Sequence, residues 1–178
     1  MQFIHLNAST VVRSESAREI ITDGTGTIVR KKSMVRFAQS IYQVKNKEKY
    51  VGNKPPHCRS SWETVFCTFL DSNTNVLQWA SEPLRIPYKH PFTGKMTNYV
   101  PDFLVTYRGK NNTVVAELIE IKPKKQSLIE SKMSANERAT VALNYHKWDA
   151  ATKWAKKNGL SFRVINEDMI FHQGGKRK

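Results

Sequence analysis

The sequence predicts an α/β fold, a mixed sheet flanked by helices, in the order helix, several strands, long helix, strand. Three observations carry this. An apolar run at helical spacing follows the breaker NKPPH (Asn53–His57). Two strand-like runs are joined by the short polar loop RGKNN. A long helical pattern ends at Gly159, just ahead of the strand-like SFRVIN.

Residues 1–50 hold nine Lys and Arg, few large apolar residues and a TDGTGT turn signal. No Gly-Lys-Ser/Thr follows that glycine pair, so it is not a phosphate loop. The region reads as a peripheral arm with at most one short helix near residues 11–21. In RSSWETVFCTFLD, Trp62, Phe66, Phe69 and Leu70 then fall on one helical face. VLQWASEPLRIPYKHP reads as one or two strands bounded by Pro83, Pro87 and Pro91, and FTGK (Phe92–Lys95) as a hairpin turn. Two strands follow at about 98–107 and 114–121. The shortness of RGKNN makes them an antiparallel hairpin. Pro123 and its lysines end the sheet segment, and the polar stretch 126–133 reads as a flexible loop. The long helix is expected at roughly 136–158, with Gly159 as left-handed C-cap. Val141, Tyr145, Trp148, Thr152 and Ala155 mark its buried face. A last strand covers 161–166, and HQGGKRK reads as a disordered basic tail. The chain thus divides into a basic N-terminal arm (1–48), one domain (49–168) and a basic C-terminal tail (169–178).

At 178 residues one domain is expected, and 39% apolar residues can furnish its core. The charge is lopsided: 29 Lys and Arg against 15 Asp and Glu, a net +14. Such a surface favours polyanions, nucleic acid first. A membrane surface comes second, but no long basic amphipathic helix stands out, and no apolar run approaches the ~20 residues that span a bilayer. MQFIHLNASTVVRSESAREI lacks a signal-peptide core. Cys58 and Cys67 suggest neither a disulfide framework nor a zinc knuckle, which fits synthesis in a reducing interior.

The chemistry concentrates in YVPDFLVTYRGKNNTVVAELIEIKPKK (Tyr99–Lys125). Strand side chains alternate faces, so Glu120 and Lys122 point the same way. Neighbouring strands lie about 4.8 Å apart, so a hairpin partner brings Asp102 beside them. Two such carboxylates repel unless a cation sits between them. A hard divalent ion, Mg²⁺ or Mn²⁺, suits one or two carboxylates plus waters and phosphate oxygens. Lys122 then orients the attacking water or stabilises the charge developing on phosphorus. The set fits metal-assisted phosphodiester hydrolysis. Taken alone, Glu-x-Lys on a strand is a solvated edge.

Glu63 has two readings. Ser60-x-x-Glu63 matches a helix capping box, and the same carboxylate is placed to be a third acid aimed at the metal. Ser134-x-x-Glu137 is read as a capping box only. Lys124 and Lys125, next to the acids, are candidate phosphate contacts, as is Arg59. Trp148 is core, while Lys147 is either surface or phosphate-facing. His5, His57, His90, His146 and His172 show no ligand spacing.

Pro101-Asp102 with Glu120-Ile121-Lys122 resembles the PD-(D/E)XK nuclease superfamily. The wider pattern adds YVGN, RSSWE, FLDSN, WASE, IPY, YVPDF, IEIKPKK, NYHKWDAA and GLSFRVINED. It is similar to the head-completion nucleases of T-even-type tailed bacteriophages and to the N-terminal nuclease domain of heteromeric transposases. The likeness runs over about residues 49–168. It implies a restriction-endonuclease-like αβββαβ core, a divalent metal and a role in virion assembly. It also implies a site built from Glu63, Asp102, Glu120 and Lys122, which favours the metal-directed reading of Glu63. A DNA endonuclease acting on packaged double-stranded DNA ends in the phage head or neck is the leading expectation. The alternatives are a non-catalytic structural component of the head opening, and a restriction, repair or transposition nuclease. The arm is longer than the family pattern, and a capsid, portal or neck protein, or DNA, is its expected contact.

Overall fold

The structure is a computed structural model that describes residues 39–171. The helix expected near residues 11–21 and residues 172–178 of the tail lie outside the described residues, while residues 169–171, counted with the tail, end a short helix that buries Ile170. The elements are β1 (Ser40–Ile41), β2 (His57–Cys58), α1 (Ser61–Ser72), β3 (Val76–Ser81), β4 (Ile86–Lys89), β5 (Met96–Tyr99), β6 (Phe103–Arg108), β7 (Val114–Ile121), α2 (Ala135–Lys157), β8 (Ser161–Ile165) and α3 (Glu167–Phe171).

The central sheet has the order β3-β6-β7-β8. The β3/β6 and β6/β7 pairs are antiparallel and β7/β8 is parallel, so the sheet is mixed as the pattern predicts. RGKNN closes the expected hairpin, with Phe103 opposite Ile119 and Arg108 opposite Val114. A parallel neighbour needs a crossover, and α2 supplies it between β7 and β8. Strand β7 lies between β6 and β8, and its last five residues are all buried. Ile119 and Ile121 face the core under α1, with Phe66, Leu70, Trp79, Phe103 and Val105. Leu118 faces the core under α2, with Ile86, Tyr88, Tyr99, Trp148, Ala151 and Ala155. Parity therefore places Glu120 on the α2 side, two residues beyond Leu118.

Helix α1 starts where the breaker predicts. Ser60 is its N-cap and accepts a hydrogen bond from Glu63 N at 3.2 Å. At the other end, buried Asp71 ties the preceding chain down. Its carboxylate accepts from Lys45 N (2.7 Å), Asn46 N (2.9 Å) and the Tyr42 hydroxyl (3.1 Å). Residues 42–46, counted with the arm in the sequence, thus pack against α1, and Tyr42 and Tyr50 both meet Trp79 edge-on.

Two expectations need correction, and two further elements went unannounced. The strand expected at 98–107 is two strands in different sheets, β5 and β6. Pro101 lacks the N–H that a continuous ladder needs, and the chain turns through 100–102. The buried stripe of α2 is Val141, Asn144, Trp148, Ala151 and Ala155, so Tyr145 and Thr152 leave it. The cause is the stretch 126–133, which α2 tethers. Asn144 Nδ2 donates to Gln126 O at 3.1 Å and the Tyr145 hydroxyl to Ser127 O at 2.8 Å. Asn144 is buried to make the first bond and Tyr145 is held outward by the second. A short helix, α3, follows β8 without any amphipathic signal long enough to announce it. The pair β1/β2, two residues each, was equally unreadable. The capping box at Ser134 and Glu137 forms as expected, and Gly159 adopts φ +72° past the end of α2.

Candidate active site

The hairpin β6–β7 brings the two acids together by simple register. Phe103 pairs with Ile119, so the residue before β6 lies across from the residue after Ile119. Asp102 is that residue, and its Oδ2 accepts a hydrogen bond from Ile121 N at 2.7 Å. Its own carbonyl accepts from Glu82 N at 2.9 Å, which anchors the turn that presents it.

Glu120 is 5% exposed, too buried for a carboxylate without partners. It has two. The Tyr99 hydroxyl donates to Oε2 at 2.7 Å, and Lys122 Nζ sits 3.2 Å from Oε1. The same-face reading of Glu120 and Lys122 is thus realised as an ion pair. Lys122 lies just past β7, its amide donating to Ile165 O at 2.9 Å. Tyr99 was not singled out in the sequence. It ends β5, and the chain break at 100–102 scrambles the parity that would otherwise have pointed it at the acids.

Electrostatics mark the same spot. Burial, and then the Glu120 charge, push the Asp102 carboxyl well above the usual carboxylate range. The Ile121 amide and the Lys122 charge oppose this, and Glu63 adds to it. Burial and the Glu120 carboxylate also push the Tyr99 hydroxyl up, so it remains a donor. On α2, Lys147 is half-buried. Burial and the neighbouring Lys122 charge push its ammonium down, with Glu120 opposing. Lys147 is therefore close enough to Lys122 and Glu120 to feel both charges.

Glu63 is placed by its capping role. Its Oε2 accepts from Arg59 N at 2.8 Å and its Oε1 from the Ser60 hydroxyl at 2.8 Å, so it is engaged at the start of α1. Its charge nevertheless reaches Asp102. The outer cations are partly occupied. Arg59 pairs with Glu82 at 2.5 Å, and Lys124 pairs with Asp168 at 2.9 Å while its amide donates to Glu167. Both pairs are exposed, and such pairs are worth about 0–1 kcal/mol, so a phosphate can displace the acids. Lys125 stands beside them on the same turn.

The donor set suits a hard divalent cation. Among the described residues no three His, Cys, Asp or Glu side chains form a ready-made metal cage. Magnesium does not need one: one or two carboxylates suffice when water and phosphate complete the shell. The like-charge strain on Asp102 beside Glu120 is what a bound cation relieves.

Residues 73–167 match the family described as TnsA-like endonuclease N terminal. The head completion nuclease of Enterobacteria phage T4 is 36% identical over 135 residues, covering 70% of this chain and 87% of that protein.

Proposed function

This chain belongs to the family of TnsA-like endonuclease N-terminal domains, and from that membership we infer a nuclease of phage head completion that cuts double-stranded DNA with a divalent cation held by Asp102 and Glu120. The observation that carries the site assignment is the buried Glu120, held between Tyr99 and Lys122 next to a charge-strained Asp102. The site acts on packaged DNA ends at the phage head or neck, after synthesis in the host cytoplasm.

The reaction adds water to phosphorus and breaks one P–O ester bond, the leaving oxygen taking up a proton. A bound Mg²⁺ or Mn²⁺ would polarise the phosphate and make a water more acidic. The chain's own residues do the rest. Tyr99 locks one oxygen of Glu120, so the other keeps a single direction toward Lys122. The Lys122 ammonium faces the negative charge that grows on the phosphate oxygens. Lys147 adds a second cation. Its burial raises its pull on a phosphate, because less water screens it. Glu63 adds a third negative charge that favours cation entry. Arg59, Lys124 and Lys125 hold the flanking backbone, giving affinity without sequence choice.

The test is incubation of the purified chain with linear and circular duplex DNA, with and without Mg²⁺ or Mn²⁺. Cleavage that requires the ion and stops with chelator is expected. Intact DNA under every metal condition, from a folded protein that binds duplex, would remove the nuclease reading.

A further inference from the structure

The β4–β5 ribbon stands apart from the central sheet, and nothing in the site described above uses its outer half. Its strands pair Pro87 with Asn98 and Lys89 with Met96 on the exposed face, while Ile86, Tyr88 and Tyr99 are buried against α2. From Arg85 to Asn98 the chain carries Arg85, Lys89 and Lys95 and no acid. All three cations are exposed, and among the described residues none forms an ion pair. The tip is apolar where water should favour polar groups: Phe92 is 60% and Met96 68% exposed. Phe92 is held out there, not loose. Its ring meets His90 at 5.8 Å, and His90 meets the buried Tyr88 at 6.4 Å. Gly94, at φ +67°, closes the turn, its N–H bonded to His90 O at 2.9 Å.

We propose that this ribbon is a DNA-contacting arm that lies in a groove of the duplex beside the scissile phosphate, with Lys89 and Lys95 on phosphates and Phe92 and Met96 against the bases. The proposal rests on the nuclease reading and extends it. Two-stranded ribbons enter the minor groove as well as the major, and in the minor groove Phe and Met are residues that wedge between base steps. Cations without acids select a polyanion over an ordinary protein surface. Position selects the duplex at this site. The ribbon's root is Tyr99, which holds Glu120. Four strand residues separate that root from the tip, roughly 13 Å, or about four base pairs along a strand. Contact at the tip thus sets where the backbone crosses Asp102 and Glu120.

The experiment uses the full chain and compares Phe92→Ala/Met96→Ala, Phe92→Trp and Lys89→Glu/Lys95→Glu with the charge-matched control Lys110→Glu/Lys157→Glu. Lys110 lies in the RGKNN turn, at the opposite end of the β6–β7 hairpin from the acids. Folding is checked by melting temperature. Duplex binding is followed by fluorescence anisotropy across a salt series. A 2-aminopurine scanned along the duplex reports unstacking. The Lys89/Lys95 reversal is expected to weaken binding at least tenfold more than the control does. It should also flatten the log K against log salt slope by about 1.8, at 0.9 per lost contact. The Phe92/Met96 truncation should abolish a 2-aminopurine signal that wild type and Phe92→Trp produce. Folded ribbon variants that bind and unstack DNA like wild type overturn the proposal. That includes variants failing only in particle assembly, which would make the ribbon a protein-docking arm. Binding is read apart from cutting. A wild type that binds but never cuts sinks the nuclease reading, while the ribbon is judged on the slope and the signal.

Discussion

Replacing Tyr99 with Phe removes one hydroxyl and keeps the ring. That hydroxyl is the donor to Glu120 Oε2 at 2.7 Å, in a site where Tyr99 and Glu120 are each 5% exposed. The ring keeps its edge contact with Phe162, so packing is spared. What is lost is a hydrogen bond to a charged group, worth about 1.5–3 kcal/mol net. Among the described residues Glu120 then keeps Lys122 as its only partner, and its other oxygen loses its fixed direction. If the whole loss is expressed in the transition state, at 1.36 kcal/mol per tenfold, single-turnover cleavage slows by roughly 10- to 150-fold. Duplex affinity should stay near wild type, because no cation has changed. The assay is cleavage of a labelled linear duplex at saturating enzyme with Mg²⁺, together with anisotropy for binding and a thermal melt. A folded Tyr99→Phe protein that cuts within twofold of wild type would refute the claim that this hydroxyl orients the Glu120 carboxylate.

Glu120→Ala should cost on the order of a hundredfold or more in cleavage while binding survives or rises slightly, and it should fail to yield infectious particles. Full complementation by that cleavage-dead protein would point instead to a structural role in the head. Asp102→Asn relieves the repulsion from Glu120, and an amide oxygen can still accept from Ile121 N. In chelator at neutral pH it should therefore melt higher than wild type, each kcal/mol of relief raising Tm by about 2–4 °C, yet not cut; a lower Tm would contradict the like-charge reading. Asp71 behaves oppositely. Burial opposes its ionisation, but the Lys45 and Asn46 amides and the Tyr42 hydroxyl win and hold its carboxyl below the usual range. A depressed folded value stabilises the fold above the unfolded one, about pH 4, and that stabilisation fades as pH falls through the folded value. Asp71→Asn should then cost about 2–3 kcal/mol at neutral pH, a Tm drop of about 4–12 °C that shrinks toward pH 3; a drop independent of pH would show that the charge is irrelevant.

Much of the site was legible because it is local. Glu120 and Lys122 share a face by strand parity, and a two-strand hairpin with a short loop fixes which residue lies across from them. Gly159, Ser134 and Ser60 act on chain within a few residues, so their caps were readable too. The α2 stripe was read correctly at Val141, Trp148 and Ala155 and one position off at Tyr145 and Thr152. Which of Asn144 and Tyr145 is buried depends on their bonds to carbonyls 18 residues earlier in the chain, at Gln126 and Ser127. No periodicity reports such a partner.

What the amino-acid sequence determined by itself was the principal helices and strands and their order, the hairpin that sets Asp102 across from Glu120, and the net positive charge. Each follows from spacing along one or two strands or from composition. Tertiary structure alone decided that Tyr99 holds Glu120, that Lys147 is half-buried beside Lys122, and that Asp71 secures residues 42–46. These are meetings between segments 20 or more residues apart, and Tyr99 with Glu120 is 21 apart. Their occurrence depends on how helices and sheet pack, since side-chain periodicity specifies a face but not what will lie against it.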